Sequence, residues 1–283
     1  MKSEDTAKAL LAACSARLDT DAGPQGTAFF VAPGYAVTAA HVVGGAEGLL
    51  VRLSERSDSW QGHVADSRPP FTDEIASASL YPAPDIALIK IDEGPDHACA
   101  LLGRRLPDSG VRVMVRGHTR TYSPQEVTAE TETFRLTGDL ETSDPGCTLL
   151  KLGLGEATLG MSGAPVLEMS TGEVVGMLRT TRGLRSNLGG WVVPADLIRS
   201  LWPDQVALGN DRFHERDSRW RQVASQLRGR SSSMNAASAE GGLSIGKIQS
   251  YLTSVITGGE IGVVNIEYGP TGRRRADQGN DDG

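Results

Sequence analysis

The 283 residues include 28 Lys and Arg against 35 Asp and Glu, a formal net charge of −7. This balance argues against a nucleic-acid surface, which needs a basic stripe, and the length allows one large domain or two small ones. The hydrophobic fraction of 39% is ordinary for a soluble globular protein, and the 34 glycines indicate many turns and therefore β architecture.

The N-terminal segment, residues 1–22, begins MKSEDTAKALLAACSARL and is predicted to be an amphipathic surface helix. Its acids Glu4 and Asp5 and its brief Ala/Leu run do not fit the uninterrupted apolar core of a signal peptide. No window of the sequence has the long apolar run of a membrane-spanning helix, so no membrane partner is expected.

The three cysteines are far apart, with no CxxC pair and no histidine at zinc-binding spacing. We expect Cys14, Cys99 and Cys147 to be buried free thiols, and we expect neither a metal nor a cofactor. Reduced thiols without an export signal favour a cytoplasmic location.

Between about residues 26 and 203, short runs of Val, Ile, Leu, Phe and Thr alternate with Gly, Pro, Asp or Ser. Ten runs are predicted as strands: TAFFVA, YAVTAA, LLVRLS, IALIKI, VRVMVRG, TFRLTG, TLLKLG, APVLEM, EVVGMLRT and GWVVPA. No long helical period separates them, so the pattern favours an all-β sandwich or barrel over an α/β fold.

The segment PADLIRSLW, residues 194–202, has helical spacing and is predicted to end the β region. Beyond it we expect a polar helix and flexible linker over 209–242, a β-prone segment over 243–268 with Gly258-Gly259 at a turn, and a disordered tail over 269–283. The β-prone segment is either a small hairpin that docks on the rest of the chain or a segment for binding a protein partner or for self-association, because such strands can add to a sheet edge.

Three polar residues have settings that suit nucleophilic hydrolysis, which requires a nucleophile, a base and a group that orients the base. His41 follows the small residues of TAAH, and Ser162 lies in TLGMSGAPV between glycines that allow a tight turn. Asp85 immediately precedes the apolar run IALIKI, where a partly buried acid needs a hydrogen-bonding partner. Asp92, which follows that run, is the alternative acid.

The stretches TAAHVV, DIALIKI and GMSGAPV resemble, in that order, the His, Asp and Ser motifs of the chymotrypsin/trypsin-like serine peptidase family. EVVGMLRTT and GGWVVPADLI resemble the strands that flank the substrate pocket in bacterial members related to HtrA. The resemblance covers about Gly26 to Trp202. It implies two packed six-stranded antiparallel β-barrels with a cleft between them, which we place at 23–98 and 99–208.

Carried over to this sequence, the resemblance implies that His41 is the general base, Asp85 its orienting acid and Ser162 the nucleophile. The backbone N–H groups of Gly160 and Ser162 would form the oxyanion hole. A polypeptide substrate would pair with one strand, whose residues are Gly176, Met177, Leu178, Arg179, Thr180 and Thr181.

Five positions affect how far the resemblance extends. Met161 stands where secreted trypsins carry the acid that receives a newly cleaved N-terminus, so that activation route is not expected. Ala164 replaces the usual glycine, a change the turn should tolerate. Arg179 and Thr180 replace small or aromatic pocket-wall residues, so a cleavage preference is not inherited. Glu156 lies near the expected pocket base, but a solvated loop acid is the favoured interpretation.

Two alternative functions stay open at this level. One is a catalytically silent trypsin-fold module that only binds or scaffolds. The other is an α/β-hydrolase esterase, since GMSGA approximates a nucleophile elbow and Asp196 and His214 follow in the appropriate order. Such an elbow needs a helix after the serine, whereas SGAPVLEMSTGEVVG predicts a strand and a turn. His63, His97, His118 and His214 are expected at the surface.

The extra C-terminal region suggests a regulatory role. Together with the absence of an export signal, it resembles, in architecture, bacterial peptidases that act as effectors and stay quiet until recruited. We therefore hypothesise that the tail controls access to the site or brings the peptidase to its target.

Overall fold

Twelve strands in the described part of the chain close into two antiparallel β-barrels. The computed structural model describes residues 3–21, 23–44, 46, 48–53, 59–72, 81–92, 97–119, 127–142, 147–183, 186–225, 227–228, 255–257 and 260–262. The two barrels confirm the predicted double-barrel fold and exclude the α/β-hydrolase alternative, which needs a parallel sheet.

The first barrel has the strand order β1-β2-β3-β6-β5-β4 and is antiparallel throughout. Its strands are β1 (Ser15–Thr20), β2 (Gly23–Ala32), β3 (Tyr35–Thr38), β4 (Leu49–Leu53), β5 (Ser59–Arg68) and β6 (Ile86–Ile91). Phe29 and Phe30 on β2 and Ile89 on β6 are fully buried. The apolar run IALIKI therefore packs into the barrel core, and Asp85 directly precedes this strand.

The second barrel has the order β10-β11-β12-β9-β8-β7 and is likewise antiparallel. Its strands are β7 (Arg112–Thr119), β8 (Thr128–Glu141), β9 (Thr148–Glu156), β10 (Pro165–Glu168), β11 (Val174–Gly183) and β12 (Ser186–Pro194). Phe134 and Leu152 are among the side chains that fill its interior. Ser162 lies in the turn between β9 and β10.

Ten of the twelve barrel strands correspond to predicted runs, and the other two were missed. β1 lies in the segment predicted as helical: helix α1 spans Ser3–Cys14 only, and the chain continues as a barrel strand because it pairs with both β2 and β4. In β5, SWQGHVADSR, Gly62 is the one buried residue. The strand therefore lacks the apolar run from which the predicted strands were identified.

Helix α1 is not a simple surface helix. Ala7, Leu11 and Cys14, spaced four and three residues apart, are fully buried in the core that includes the first barrel. The helix also contacts β7 and β10, so it packs against both barrels. The acids Glu4 and Asp5 lie exposed in the first turn of the helix, where they complement the helix dipole.

The chain beyond β12 packs back on the barrels. The predicted helix is present as α3 (Ala195–Leu201) and is followed by a π-helical turn (Pro203–Leu208) and helix α4 (Gly209–Arg216); residues 218–225 are also helical. Trp220 and Ala224 are buried in the same core as the first barrel, and the indole N–H of Trp220 donates to Gly172 O at 2.7 Å. Residues well beyond 208 therefore contribute to the barrel core.

Asn210, at the start of α4, holds the connection between the barrels. Its buried amide donates to Val31 O and to Ala100 O, both at 2.6 Å, and its carbonyl accepts from Leu102 N at 3.3 Å. Val31 belongs to the first barrel, and residues 100 and 102 belong to the segment that leads to the second. The side chain thus satisfies three buried backbone groups at the barrel junction.

Residues Met1–Ala236 and Ala237–Gly283 form two separate compact units. In the second unit, β13 (Val255–Thr257) pairs antiparallel with β14 (Glu260–Gly262), on either side of the expected Gly258-Gly259 turn. The rest of the predicted β-prone segment, most of the linker and the predicted disordered tail lie outside the described residues. In the described part of the chain, we find no helix with the length and apolar character that crossing a membrane requires.

Candidate active site

His41 lies on a one-turn helix, α2 (Ala40–Val43), that directly follows β3. Ala39 and Ala40 are buried, and these small residues let the chain turn tightly from the strand into the helix. The His41 side chain is 35% exposed, so the imidazole has one edge in the protein and one edge accessible. The TAAH sequence therefore ends a barrel strand with an accessible imidazole.

Asp85 binds His41 through both carboxylate oxygens. His41 Nδ1 lies 2.8 Å from Asp85 Oδ2, and the His41 backbone N–H donates to Asp85 Oδ1 at 3.0 Å. Asp85 itself has φ of 60°, in the left-handed region, and its carbonyl accepts from Ala40 N at 3.3 Å. An unfavourable backbone conformation is thus held in place by contacts to the turn that carries the histidine.

The alternative acid, Asp92, lies elsewhere. Asp92 Oδ1 is 3.0 Å from His63 Nδ1, and both side chains are about half exposed. The structure therefore joins His41 to Asp85 and places Asp92 in a separate surface pair.

The turn that carries Ser162 is held against the first barrel. Ser162 O accepts from Thr27 N at 3.0 Å, and Thr27 Oγ1 donates to Gly160 O at 2.9 Å. A Cβ added at Gly26 would lie 3.2 Å from Ser162 O and 2.8 Å from Val42 Cγ1, so the serine turn and the residue after His41 pack on the same glycine. The half-buried serine and the helix that carries His41 therefore flank Gly26 at the contact between the barrels, where the cleft is expected.

Among the described residues, the His41 ring is hydrogen-bonded to Asp85, and no hydrogen bond joins it to Ser162. Catalytic contacts of this kind are often long before substrate binds and tighten in the complex. The arrangement brings base and acid into contact and presents the serine across the cleft.

Gly163 is required where the two barrels touch. Its φ is 90°, and an added Cβ would overlap Thr27 O and press on Thr38 Oγ1, which itself donates to Thr27 O at 2.7 Å. Neither the Thr27 backbone nor this buried hydroxyl can move without opening the first barrel.

Replacing Gly163 with Ala should therefore lower the free energy of unfolding by about 3 kcal/mol or more, because overpacking adds to the strain of a left-handed backbone. Urea denaturation measures the change. The matched control is Gly34→Ala, which has φ of 76° but nothing within 4 Å of its added Cβ. Equal losses in the two variants would contradict the overpacking argument.

The predicted oxyanion donors lie in the same turn. Gly160 has φ of 97°, where a side chain would overlap His118 O, so glycine fits this position. The neighbouring N–H groups of Met161 and Ala164 donate to Thr158 O and Met161 O within the turn. Among the described residues, no backbone acceptor is found for the N–H groups of Gly160 and Ser162.

The predicted substrate strand is β11. Gly176, Met177 and Leu178 are buried, and Gly163 N donates to Leu178 O at 2.7 Å while Leu178 N donates to Ala164 O at 2.8 Å. The strand is therefore tied to the serine turn by its backbone. Thr180 and Thr181 continue the strand, but their side chains are outside the described residues.

Arg179 on β11 occupies a place that sequence reasoning did not anticipate. Its side chain is only 6% exposed, and its Nε donates to Asp85 Oδ2 at 3.1 Å, while its Nη2 donates to Tyr81 O. The guanidinium thus points into the barrel junction. The Arg179 side chain forms an ion pair with the candidate triad acid and does not line the pocket wall.

Glu156 and Met161 differ in their exposure to solvent. Glu156 is exposed at the end of β9, opposite Leu188 of β12, as a solvated acid would be. Met161 is fully buried, and its sulfur accepts from Thr158 N at 3.4 Å. The residue before the serine thus packs within the second barrel.

Three of the four other histidines are buried, contrary to the expected surface positions. His97 stacks on Phe30 at a centroid distance of 3.6 Å, and His214 packs edge-on against Phe213 and Trp220. His118 lies beside the serine turn, and its N–H donates to Thr27 Oγ1 at 2.8 Å. Only His63 of the four is exposed; polar neighbours in sequence did not reveal that the others face aromatic or barrel-junction surroundings.

The pKa of His118 is lowered to about 4, chiefly by burial and further by the nearby Arg116 and Arg17, against a small opposing effect of Asp19. The folded protein therefore keeps this ring neutral, whereas the unfolded chain protonates it near pH 6.5. Stability from the neutral ring is fully present above pH 6.5 and is lost as the pH falls toward 4.

From that shift we expect His118 to lower the free energy of unfolding by about 3 kcal/mol between pH 7 and pH 4. Urea denaturation of the wild type and of His118→Asn across this range isolates the contribution, because carboxylates and the other histidines titrate in both proteins. Parallel pH dependences of the two proteins would overturn the prediction.

The cysteines offer no competing nucleophile. All three are buried and free, as predicted, and burial raises the pKa of Cys14 to about 12 and that of Cys99 above its ordinary range. Thiols that stay protonated are poor nucleophiles. Among the described residues, no cluster of His, Cys, Asp and Glu has the grouping needed to hold a metal ion.

Comparison with known proteins agrees with the double-barrel fold. The sequence profile of the trypsin-like peptidase domain matches residues 26–177. No curated protein sequence matches the chain. Similar solved structures include the active form of the Rv3671c protease of M. tuberculosis, at 16% identity and a TM-score of 0.53, covering 72% of this chain and 85% of that one.

Two further structures share the fold. The HtrA-type protease AlgW, bound to a decapeptide, is 15% identical with a TM-score of 0.56, over 74% of this chain and 69% of that one. The serine endoprotease of Yersinia pestis is 16% identical with a TM-score of 0.54, over 73% of this chain and 68% of that one. At these identities the likeness is one of fold, and the matched profile spans all three positions of the candidate triad.

Proposed function

Since the chain belongs to the trypsin-like peptidase family of serine-type endopeptidases, we propose that it cleaves polypeptides through His41, Asp85 and Ser162. The observation that carries this proposal is the two-point contact of Asp85 with His41, through Nδ1 at 2.8 Å and the backbone N–H at 3.0 Å. Since Nδ1 is engaged by Asp85 and the side chain is 35% exposed, Nε2 is the nitrogen that would face Ser162 in this proposal.

In this mechanism, Asp85 accepts a hydrogen bond from the Nδ1–H of His41 and so fixes the tautomer in which Nε2 is basic. His41 takes the proton of Ser162 Oγ as the oxygen attacks the scissile carbonyl carbon. The oxyanion receives hydrogen bonds from the N–H groups of Gly160 and Ser162. His41 then gives its proton to the leaving amine, and a water molecule hydrolyses the resulting acyl-enzyme by the same steps in reverse order.

The substrate backbone would pair with β11, next to the serine turn. Gly176 and Met177 already pair with β10 and β12, and Leu178 exchanges hydrogen bonds with Gly163 and Ala164. A substrate chain would therefore pair with β11 only beyond Leu178, at a fixed offset from Ser162. Backbone pairing supplies affinity with little dependence on the substrate's side chains. Polypeptide is therefore the proposed substrate class.

The direct test is covalent labelling of the full chain with a fluorophosphonate probe. We expect the wild type to be labelled and Ser162→Ala and His41→Ala to be unlabelled. Ser170→Ala is the control, because Ser170 lies after β10 and its hydroxyl donates to Glu168; it should label as the wild type does. A folded wild type that stays unlabelled would support the silent binding module instead.

We also propose that the second unit, Ala237–Gly283, regulates or recruits the peptidase. The proposal is supported by its separation from the barrel unit in the chain and by the β13–β14 sheet that it contains. Deleting residues 243–283 leaves every described residue of the barrel unit intact. The labelling rate or the association state measured by light scattering should change, and no change in either would exclude the idea.

A further inference from the structure

Arg179 places a buried permanent charge on the acid of the candidate triad. Its side chain is 6% exposed and that of Asp85 is 2% exposed, so both charges are nearly withdrawn from solvent. A buried arginine needs an anionic partner and acceptors for its remaining N–H groups. Asp85 Oδ2 and Tyr81 O supply these acceptors.

The contact joins the two barrels at the catalytic cleft. Arg179 belongs to β11 of the second barrel, whereas Tyr81 and Asp85 lie in the segment that leads into β6 of the first. Residues 94 positions apart in the chain are thereby fixed to each other. The same β11 strand is bonded through its neighbour Leu178 to the serine turn.

The carboxylate of Asp85 accepts three hydrogen bonds in this arrangement. Oδ1 accepts from His41 N, and Oδ2 accepts both from Arg179 Nε and from the Nδ1–H of His41. Two donors on Oδ2 approach from different barrels, so the carboxylate plane has one orientation that satisfies all three bonds. Without Arg179, the carboxylate could rotate and lose its alignment with the imidazole.

From this geometry we infer that Arg179 is a positioning residue of the catalytic site: its guanidinium fixes the Asp85 carboxylate toward His41 and locks the substrate strand β11 to the first barrel. The inference rests on the proposed peptidase function. It adds to that function a cation between the barrels. Arg179 couples β11, the strand expected to bind substrate, to Asp85, which orients His41.

The test compares Arg179→Lys and Arg179→Met. Lysine keeps the charge and can still donate to Asp85, but its ammonium does not have the rigid fork of guanidinium; methionine keeps much of the volume but cannot donate. We expect the maximal rate of phosphonylation by the fluorophosphonate probe, per labelled site at completion, to fall about 10-fold for Lys and about 100-fold for Met. Turnover of dye-labelled casein per site should fall in the same order.

The matched control is Arg199→Met. Arg199 on α3 is 12% exposed and forms its ion pair with Asp211, outside the cleft. Its removal should lower stability but leave the phosphonylation rate per site unchanged. If Arg179→Met also leaves that rate unchanged, or raises it, the positioning role is wrong.

A readout that does not depend on hydrolysis covers variants with altered stability. In Ser162→Ala protein, the hydrogen-bonded Nδ1–H proton of His41 should give a downfield NMR resonance that disappears in the His41→Ala variant. Adding Arg179→Met should shift or broaden this resonance in folded protein, and an unchanged resonance would contradict the inference. If the probe instead fails to label Ser162 in the wild type, the proposed function itself is refuted.

Discussion

Replacing His41 or Ser162 with Ala should lower the turnover of dye-labelled casein by a factor on the order of 10⁴ to 10⁶, with little change in stability. The base and the nucleophile act in the same proton transfer, so losing either one removes most of the rate enhancement. The double variant should therefore be no slower than the slower single variant. Turnover per folded molecule, with folding checked by circular dichroism, measures this.

Independent, additive losses in the double variant would contradict a shared proton transfer. The appropriate control is His63→Ala, because His63 pairs with Asp92 at the surface. It should retain wild-type turnover, since an exposed pair contributes little and lies outside the cleft.

Replacing Asp85 with Ala should remove activity and also lower the free energy of unfolding by about 3–5 kcal/mol, because it leaves the Arg179 guanidinium buried without its anion. The activity loss should approach 10⁴-fold, since His41 loses the acceptor that fixes its tautomer. Ser162→Ala should show no such destabilisation. Urea denaturation of the three proteins, together with casein turnover, separates the two effects.

A second variant keeps this prediction testable if Asp85→Ala fails to fold. Removing both charges in Asp85→Ala/Arg179→Met should recover part of the lost stability, because no uncompensated charge then remains, but should recover no activity. Asp92→Ala, which breaks a half-exposed pair, is the control and should cost less than about 1 kcal/mol. Additive stability losses in the double variant would show that Asp85 and Arg179 do not stabilise each other.

The barrel strands were predictable where burial of both faces gives a continuous apolar run. IALIKI and EVVGMLRT show this, because their burial dominates their composition. SWQGHVADSR does not, since β5 lies at a polar face and its strand character comes from pairing with β4 and β6. SARLDT was read as helix because it continues an Ala/Leu segment, and only its long-range pairing with β2 and β4 makes it a strand.

The candidate triad was predictable from three short motifs, and the structure brings two of its members into direct contact. The role of Arg179 was not predictable from sequence. A charged side chain on a strand ordinarily faces water, and its inward direction depends on an acid 94 residues away in the other barrel. The burial of His118 has the same origin, because the barrel junction is formed by residues distant in sequence.

The hydrogen bonds of Asn210 at the barrel junction limit how the cleft can change shape. Opening the two barrels about their connecting segment would break hydrogen bonds to Val31, Ala100 and Leu102, all of them buried. Each broken bond would strand a backbone group away from water. A hinge motion of the barrels is therefore an improbable gate for substrate entry. Access to Ser162 should instead be governed by shorter rearrangements of the loops around a rigid cleft, with the barrels moving as one body.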